Sequence, residues 1–337
     1  MIDAAIPLLL VAAVSLLGAF FRPQPQTVVG GPINAGDTAW VLTATGLVLL
    51  MTPGLSFFYG GNFRMKNVVS TMLQNFVAMA VISLLWILVA FSLAFGTSFH
   101  GIIGDPRTFF MFTRVGAFTH PDLAPTIPLI VFALFQLKFA IITPALITGS
   151  FAERVRFSSY LLFMCLFSIF VYSPLAHWTW HPDGFLHKLG VLDFAGGTVV
   201  HMSAGFAALA GAMVLGRRTT HKNGEPTTPA NIPFVILGTG MLWFGWFGFN
   251  AGSALAWIFF DRMRGQKPSA LGACVGAVVG LVAITPAAGY VSIGESIFIG
   301  TYASVVSNLM CTGRTPRRST TRSTSSPATA SAAWSAC

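Results

Sequence analysis

Long apolar segments joined by short polar connections dominate the chain. Charge-free windows of about 20 residues recur along it, and that length crosses the hydrocarbon core of a bilayer as an α-helix. The strict alternation of polar and apolar residues that membrane strands require is absent. The pattern predicts an all-α, polytopic membrane protein. Its eight apolar segments lie at about 38–59, 68–95, 126–149, 157–177, 196–216, 232–256, 270–287 and 291–309.

Basic residues in the connections indicate how these segments are oriented. The cationic side chains follow the first, third and fifth segments, and short loops rich in lysine and arginine stay in the cytoplasm. They are Arg64, Lys66, Arg154, Arg156, Arg217, Arg218 and Lys222. The prediction is a multi-pass protein of the plasma (inner) membrane, in contact with the lipid bilayer, with its N terminus outside.

Composition supports a membrane protein and excludes several other classes. Hydrophobic residues form 54% of the chain and charged residues 9%, unlike a typical soluble domain. The net charge of +9 comes from short loops and from the last thirty or so residues, so no nucleic acid partner is predicted. The four cysteines contain no C-x-x-C pair, which indicates neither a disulfide framework nor a metal site. Motifs of enzymes and nucleotide-binding sites are also absent, so we predict neither an enzyme nor a cofactor.

The two ends of the chain differ from its middle. Residues Ala4 to Phe21 are apolar but lack a basic n-region and an A-x-A-like cleavage site. We interpret residues 1–30 as a targeting segment, or an extra span, followed by a linker at Arg22–Gln26. Residues 31–309 form the predicted membrane domain. Residues 310–337, rich in Ser, Thr, Ala, Arg and Pro, predict a disordered basic tail or GC-rich DNA read out of frame.

Ionisable side chains inside the apolar segments are candidates for function. His201 lies within such a segment, where an ionisable residue is costly and indicates function by default; from position alone, a hydrogen-bonded packing histidine is an equal alternative. Lys138 is interpreted as a snorkelling or interhelical lysine. His177 and His181 have the spacing of metal ligands, but their loop setting beside Pro182 favours an external surface position.

Five motifs in order resemble the ammonium transporter (Amt/Mep/Rh) family, and its bacterial members most closely. They cover about Asp37 to Asn308. The motifs are Pro53-Gly-Leu-Ser-Phe-Phe-Tyr-Gly-Gly61, Phe151-Ala-Glu-Arg-Val-Arg-Phe157, Leu192-Asp-Phe-Ala-Gly-Gly-Thr-Val-Val-His201, Gly245-Trp-Phe-Gly-Phe-Asn-Ala-Gly-Ser253 and Gly272-Ala-Cys followed by Thr285-Pro286.

The resemblance implies a fold and a set of site residues. The fold is a homotrimer of eleven-helix protomers, each with its own pore between two inverted five-helix halves. The outer recruitment site would comprise Phe135, Trp180 and Ser253, supported by Asp193. The gate would be Phe139 stacked near Phe249, and His201 would be the first of two pore histidines that relay a proton. On spacing alone, Phe135 and Phe139 would more often be packing residues, Trp180 an interfacial belt residue, and Ser253 and Asp193 helix caps.

Elementary energetics favours transport of neutral ammonia after ammonium is recruited. Aromatic faces attract a cation by about 0.5–2 kcal/mol, whereas stripping a small cation of water still costs several kcal/mol after relaxation. We therefore predict that the cation is deprotonated, that ammonia crosses an apolar pore, and that histidine relays the proton. A passive channel for small neutral molecules or gas is the alternative. A sensor is less favoured because no signalling domain is recognised.

The chain departs from the family pattern in its second half. The seventh helix, expected between Ser253 and Lys267, is missing near Ala256, and no second histidine follows His221. Shifted by one base, ordinary GC-rich codons for Thr320 to Cys337 read Asp-Thr-Leu-Asp-Val-Phe-Pro-Cys-His-Gly-Val-Gly-Gly-Met-Val-Gly-Met, which resembles the family's tenth-helix motif. We therefore expect an in-frame loss and a frameshift, with poor folding and little transport. The tail that binds P-II signalling proteins in the family has no counterpart here.

Overall fold

The computed structural model describes residues 20–218, 228–246 and 270–313, together with residues 9, 12, 13, 16 and 223. Eight long helices make up most of this part of the chain. They are α1 (Ala35–Asn62), α2 (Met65–Phe95), α3 (Leu129–Phe151), α4 (Phe157–Lys188, with a turn at 181–184), α5 (Gly197–Leu215), α6 (Ile232–Gly245), α7 (Ala270–Ile284) and α8 (Ile293–Gly313). A short antiparallel hairpin, β1 (Ser98–Phe99) and β2 (Ile103–Gly104), follows α2.

The predicted apolar segments correspond to these helices in number and order. Helices α1 to α5 are long and apolar enough to cross a membrane, as the length of an apolar run predicts. Helix α6 ends at Gly245, and the described part of the sixth segment ends at Trp246, so the missing helix expected near Ala256 lies outside the described residues. Helix α4 continues past the predicted end at residue 177, because the prediction followed hydropathy and the helix extends into its polar final turns.

Contacts divide the chain into two compact units. The first comprises residues 1–46, 78–141 and 156–191, and the second comprises residues 47–77, 142–155 and 192–337. Helices α1 to α3 each contribute to both units. The sequence-based division at residues 30 and 309 stays a prediction.

An aromatic core holds the first unit together. Trp86 is fully buried, and its indole N–H donates to the Ala133 carbonyl at 3.0 Å. Its ring lies 6.3 Å from that of Tyr172, also fully buried. The two rings belong to π-helical turns, Trp86–Ala90 and Ser168–Tyr172. Each turn widens the helix by one residue and so directs a large ring into the core.

The predicted linker Arg22–Gln26 is not a free linker, which corrects the sequence interpretation. The Gln26 side chain donates to the Thr119 carbonyl at 2.9 Å and accepts from the Gly116 N–H at 3.1 Å. The Gly30 N–H donates to the same Thr119 carbonyl at 3.0 Å. These bonds to residues about 90 positions away fasten the segment to the connection between α2 and α3, and no local pattern predicts them.

Small residues bring α1 and α6 together in the second unit. A Cβ at Gly54 would lie 2.9 Å from the Met241 Cβ, and one at Gly61 would lie 2.7 Å from a Val235 methyl. Such close backbone approach is typical of helices packed inside membranes, where glycine interfaces replace the hydrophobic driving force.

Candidate functional site

Three of the predicted site residues form one aromatic cluster in the first unit. The Phe135 and Phe139 ring centroids are 5.0 Å apart and nearly perpendicular, as their four-residue spacing on α3 predicts. The Trp180 ring, from α4, lies 6.1 Å from that of Phe139. All three side chains are only half-buried. The cluster therefore keeps part of its aromatic surface open, and such a surface can attract a cation.

Two further partners are predicted for this cluster from the family resemblance. Ser253 and Phe249 lie outside the described residues, so their roles at the recruitment site and gate stay predictions. Lys138, next to Phe139 on α3, is half-buried and forms no ion pair with any residue described here. Its snorkelling or interhelical role likewise stays a prediction.

Asp193 fixes the beginning of α5 in the second unit. Its carboxylate oxygens accept four backbone N–H groups, those of Gly196, Gly197, Thr198 and Val199, at 2.7–3.2 Å. The side chain is buried, so these donors and the positive end of the helix offset the cost of its charge. This geometry is that of a helix cap, one of the two roles that the sequence suggested for Asp193. The other role, support of the outer recruitment site, stays a prediction.

The π-helical turn that follows Asp193 carries the predicted pore histidine. In this turn, Gly197–Met202, the His201 N–H donates to the Gly196 carbonyl at 3.0 Å. The His201 Nε2 lies 3.2 Å from the Thr285 Oγ1, just beyond α7. The ring centroid is 5.9 Å from that of Trp246, at the end of α6. Three helix ends thus meet at one imidazole, and π-turns are frequent at functional sites.

His177 and His181 are buried, so the predicted external surface position is wrong for both. Their rings stack with centroids 4.4 Å apart. The His177 Nδ1 lies 3.0 Å from the Ala94 carbonyl and its Nε2 lies 2.8 Å from the Ser98 Oγ. The loop setting misled the prediction because the burial comes from α2 and β1, far away in sequence. No group of three or more His, Cys, Asp or Glu side chains that could hold a metal ion occurs among the described residues.

A charged cluster in the second unit joins residues from three connections. The Glu153 carboxylate accepts from the Arg64 Nε at 3.1 Å, the Asn67 Nδ2 at 2.9 Å and the Arg218 Nη1 at 2.9 Å. Burial alone would raise the pKa of Glu153, but these hydrogen bonds and the Arg218 charge together hold it below the usual value. Arg154 donates to the Gly216 carbonyl beside them.

Sequence reasoning assigned no role to Thr285, Trp246 or Glu153. All three lie within the family motifs, but nothing in their spacing shows what they contact. The available signals were a Thr-Pro dipeptide closing an apolar segment and a lone acidic residue among cationic loops. Each of these two signals identifies a residue that merits testing, but neither shows which residues it contacts.

The family model described as Ammonium Transporter Family matches residues 39–256 and 251–318 of the chain. The chain belongs to the ammonium transporter family. This membership confirms the family resemblance, and the helical architecture confirms the predicted all-α, polytopic membrane fold. The match covers every motif that carried the resemblance.

Two similar proteins are the ammonium transporters of Aquifex aeolicus and Bacillus subtilis. The ammonium transporter of Aquifex aeolicus is 45% identical over 301 residues, which cover 82% of this chain and 69% of that protein. The ammonium transporter of Bacillus subtilis is 44% identical over 296 residues, covering 81% of this chain and 72% of that protein.

Solved structures of the family have the same fold. Candida albicans Mep2 matches with a TM-score of 0.76 and 35% identity, covering 82% of this chain and 66% of that chain. A sensor Amt protein matches with a TM-score of 0.73 and 28% identity, covering 81% of this chain and 73% of that chain. Relative to these proteins, the chain forms an incomplete ammonium transporter fold.

Proposed function

We propose that this chain is built to move ammonium or ammonia across the plasma (inner) membrane. The observation that carries the proposal is the half-open aromatic cluster of Phe135, Phe139 and Trp180 in a chain of the ammonium transporter family. The names of its relatives support the substrate, since the Aquifex aeolicus and Bacillus subtilis proteins are both ammonium transporters.

The aromatic cluster recruits the cation, and deprotonation follows because aromatic contacts alone are too weak. Faces such as that of Trp180 contribute about 0.5–2 kcal/mol each, and the Ser253 hydroxyl adds an acceptor for an ammonium N–H. Complete dehydration of the cation costs more than this sum. Phe139 and Phe249 therefore act as a gate that neutral ammonia passes.

His201 then handles the proton that ammonium leaves behind. Its imidazole can accept a proton on one nitrogen while donating from the other. Asp193 contributes by holding the first turn of α5, and thereby the histidine, in a fixed orientation. The role of this carboxylate is to position the site, since its oxygens face the backbone N–H groups of that turn.

We also propose a homotrimer whose N terminus lies outside the membrane. The cluster around Glu153 supports this orientation because it gathers Arg64, Arg154 and Arg218 from three connections. Cationic loops of this kind belong on the cytoplasmic side.

A lost segment near Ala256 limits what the chain does as written. The family match runs in two pieces that overlap at residues 251–256. The Aquifex aeolicus alignment has 301 positions, whereas 82% of the 337-residue chain is about 276 residues, so about 25 positions lack a residue here. That length is close to one membrane helix. Its loss would invert the orientation of α7 and α8 in the membrane, and together with a frame change near residue 310 it would abolish most transport.

A repaired chain tests this proposal. In it, residues of the Aquifex aeolicus relative replace the lost segment at Ala256 and everything after residue 309. We expect it to restore growth at low ammonium to a host lacking ammonium transporters, whereas the chain as written restores little. Phe139→Leu in the repaired chain should reduce this growth because it alters the proposed gate. Its control is Phe163→Leu, which alters a stacked aromatic pair elsewhere in the first unit and should leave growth unchanged. Full growth with the chain as written would contradict the proposed loss.

Currents across a bilayer distinguish the mechanism from its alternative. Addition of ammonium to liposomes holding the repaired chain should move charge, and His201→Ala should reduce that movement. Uptake of neutral molecules without ammonium-dependent current would instead show a passive channel. The gene's nucleotide sequence tests the frame change: no transporter motif in the neighbouring frame after residue 310 would refute it.

A further inference from the structure

The hydroxyl group of Thr285 already donates its only proton within its own chain segment. Helix α7 ends at Ile284, so the Leu281 carbonyl is among the last carbonyls, which lack a regular helical donor. The Thr285 N–H donates to the Val282 carbonyl at 3.3 Å instead. The Thr285 Oγ1–H takes the place of the missing backbone donor and donates to the Leu281 carbonyl at 2.8 Å.

Because the Thr285 hydroxyl proton is donated to Leu281, the direction of the hydrogen bond between Thr285 and His201 is determined. A hydroxyl has one proton and two acceptor lone pairs. With that proton directed to the Leu281 carbonyl, the Thr285 oxygen can only accept across the 3.2 Å to the His201 Nε2. If the hydroxyl instead donated to the histidine, the buried Leu281 carbonyl would be left without a donor, which is unfavourable. Nε2 is therefore the protonated nitrogen of His201.

The surroundings keep both residues in place. A Cβ at Gly197 would overlap the Pro286 ring, and the Phe194 N–H donates to the Pro286 carbonyl at 3.1 Å. The beginning of α5 and the end of α7 are thereby fastened together one residue beyond Thr285. Thr285 itself is only 2% exposed, so water does not readily replace it as the acceptor.

We propose that Thr285 is a positioning residue that holds neutral His201 as its Nε2–H tautomer and leaves Nδ1 as a bare acceptor. Within the described residues, Nδ1 has no hydrogen-bond partner. A bare ring nitrogen can accept a hydrogen bond from ammonia or take up a proton. The tautomer follows from the geometry alone, whereas the use made of Nδ1 rests on the proposed transport function.

The tautomer can be measured in the full chain without any transport assay. Solid-state NMR of protein labelled with ¹⁵N-histidine, in lipid, separates protonated from bare ring nitrogens, and His201→Gln identifies the signals of His201 by difference. His177 is an internal reference, because a carbonyl cannot donate and the bond to Ala94 therefore requires Nδ1–H. We expect opposite tautomers at His201 and His177.

Substitution at Thr285 tests whether it causes the preference. Thr285→Val keeps the shape but removes the acceptor, so His201 should change from one tautomer to a mixture of both. Thr285→Ser should retain the single Nε2–H form. Thr239→Val is the matched control, because Thr239 is also buried and donates to the carbonyl four residues earlier.

Each outcome bears on the proposal. An Nδ1–H form of His201 in the unsubstituted chain, or an unchanged tautomer in Thr285→Val, would overturn it. A loss of the tautomer in Thr285→Val together with altered His177 signals would also overturn it, because the effect would then be general unfolding. A repaired chain that fails to transport would contradict the proposed function and leave the measured tautomer unaffected.

Discussion

Glu153 should be among the most important single residues for the stability of this chain. Its carboxylate is 7% exposed and pairs with Arg218, itself only 14% exposed, at 2.9 Å. The substitution Glu153→Gln keeps the shape and one acceptor but removes the charge. Removing one partner of a buried ion pair costs about 3–5 kcal/mol, because the other charge is left buried and unpaired.

The pair with Arg64 adds much less to this estimate. The Arg64 side chain is 38% exposed, and pairs that contact water are worth about 0–1 kcal/mol. The amide oxygen of glutamine can also still accept from Arg64 or Asn67. We therefore expect Glu153→Gln to lower the free energy of unfolding by about 3 kcal/mol, nearly all of it through Arg218.

Thermal unfolding of the full chain in detergent, followed by tryptophan fluorescence, measures this effect. Glu153→Gln should lower Tm by several degrees, since each kcal/mol shifts Tm by about 2–4 °C in chains of 150–250 residues. Asp105→Asn is the control, because Asp105 pairs with the largely exposed Arg107 and should leave Tm unchanged. The double variant Glu153→Gln with Arg218→Met should recover part of the loss. An unchanged Tm in Glu153→Gln, or no recovery in the double variant, would refute the reasoning.

The same carboxylate predicts how stability depends on pH. The pKa of Glu153 is lowered in the folded chain from its ordinary value of 4.5. Its stabilising contribution is complete above that value and is lost as pH falls through the lower, folded pKa. The unsubstituted chain should therefore lose its stability advantage over Glu153→Gln progressively as pH falls below the ordinary value of 4.5. A constant difference in Tm down to pH 2 would contradict this assignment.

Three further substitutions test other parts of the structure. Gln26→Leu removes two long-range hydrogen bonds, so the Gly116 amide should exchange with deuterium at least several-fold faster; equal exchange would show that Gln26 does not fasten the loop. Gly197→Ala should lower Tm or abolish folding because its Cβ would overlap Pro286, whereas Gly205→Ala, with open space around it, should be neutral or stabilising. Trp180→Leu in the repaired chain should weaken apparent ammonium affinity about 2–30-fold, equivalent to 0.5–2 kcal/mol; an unchanged affinity would exclude Trp180 from the recruitment site.

Local features of the sequence predict the helices because the bilayer imposes a simple length requirement. A helix rises 1.5 Å per residue, so an apolar run of about 20 residues specifies a span almost without reference to the rest of the chain. The contact between Phe135 and Phe139 follows in the same way from helical spacing. Trp180 joins them from another helix, and only the family resemblance indicated its place.

Contacts between distant segments were not predictable from local pattern. His201 meets Thr285 across 84 positions, and His177 meets Ser98 across 79. The polar setting of His177 suggested exposure, but α2 and β1 bury it. The polarity of the segment containing Gln26 suggested a linker for the same reason. A buried polar side chain needs hydrogen-bond partners. The sequence pattern does not show which residues the fold supplies as those partners.

The charged cluster and the histidine site illustrate two ways of stabilising polar groups in an apolar protein. At Glu153 opposite charges stabilise one another, so the loss of either charge leaves the other buried and unpaired at a high energetic cost. At His201 the ring can stay neutral because Thr285 supplies an acceptor to the nitrogen that carries the proton. The first arrangement favours rigidity. The second leaves one ring nitrogen available, so this histidine can serve proton transfer without the energetic cost of a permanent buried charge.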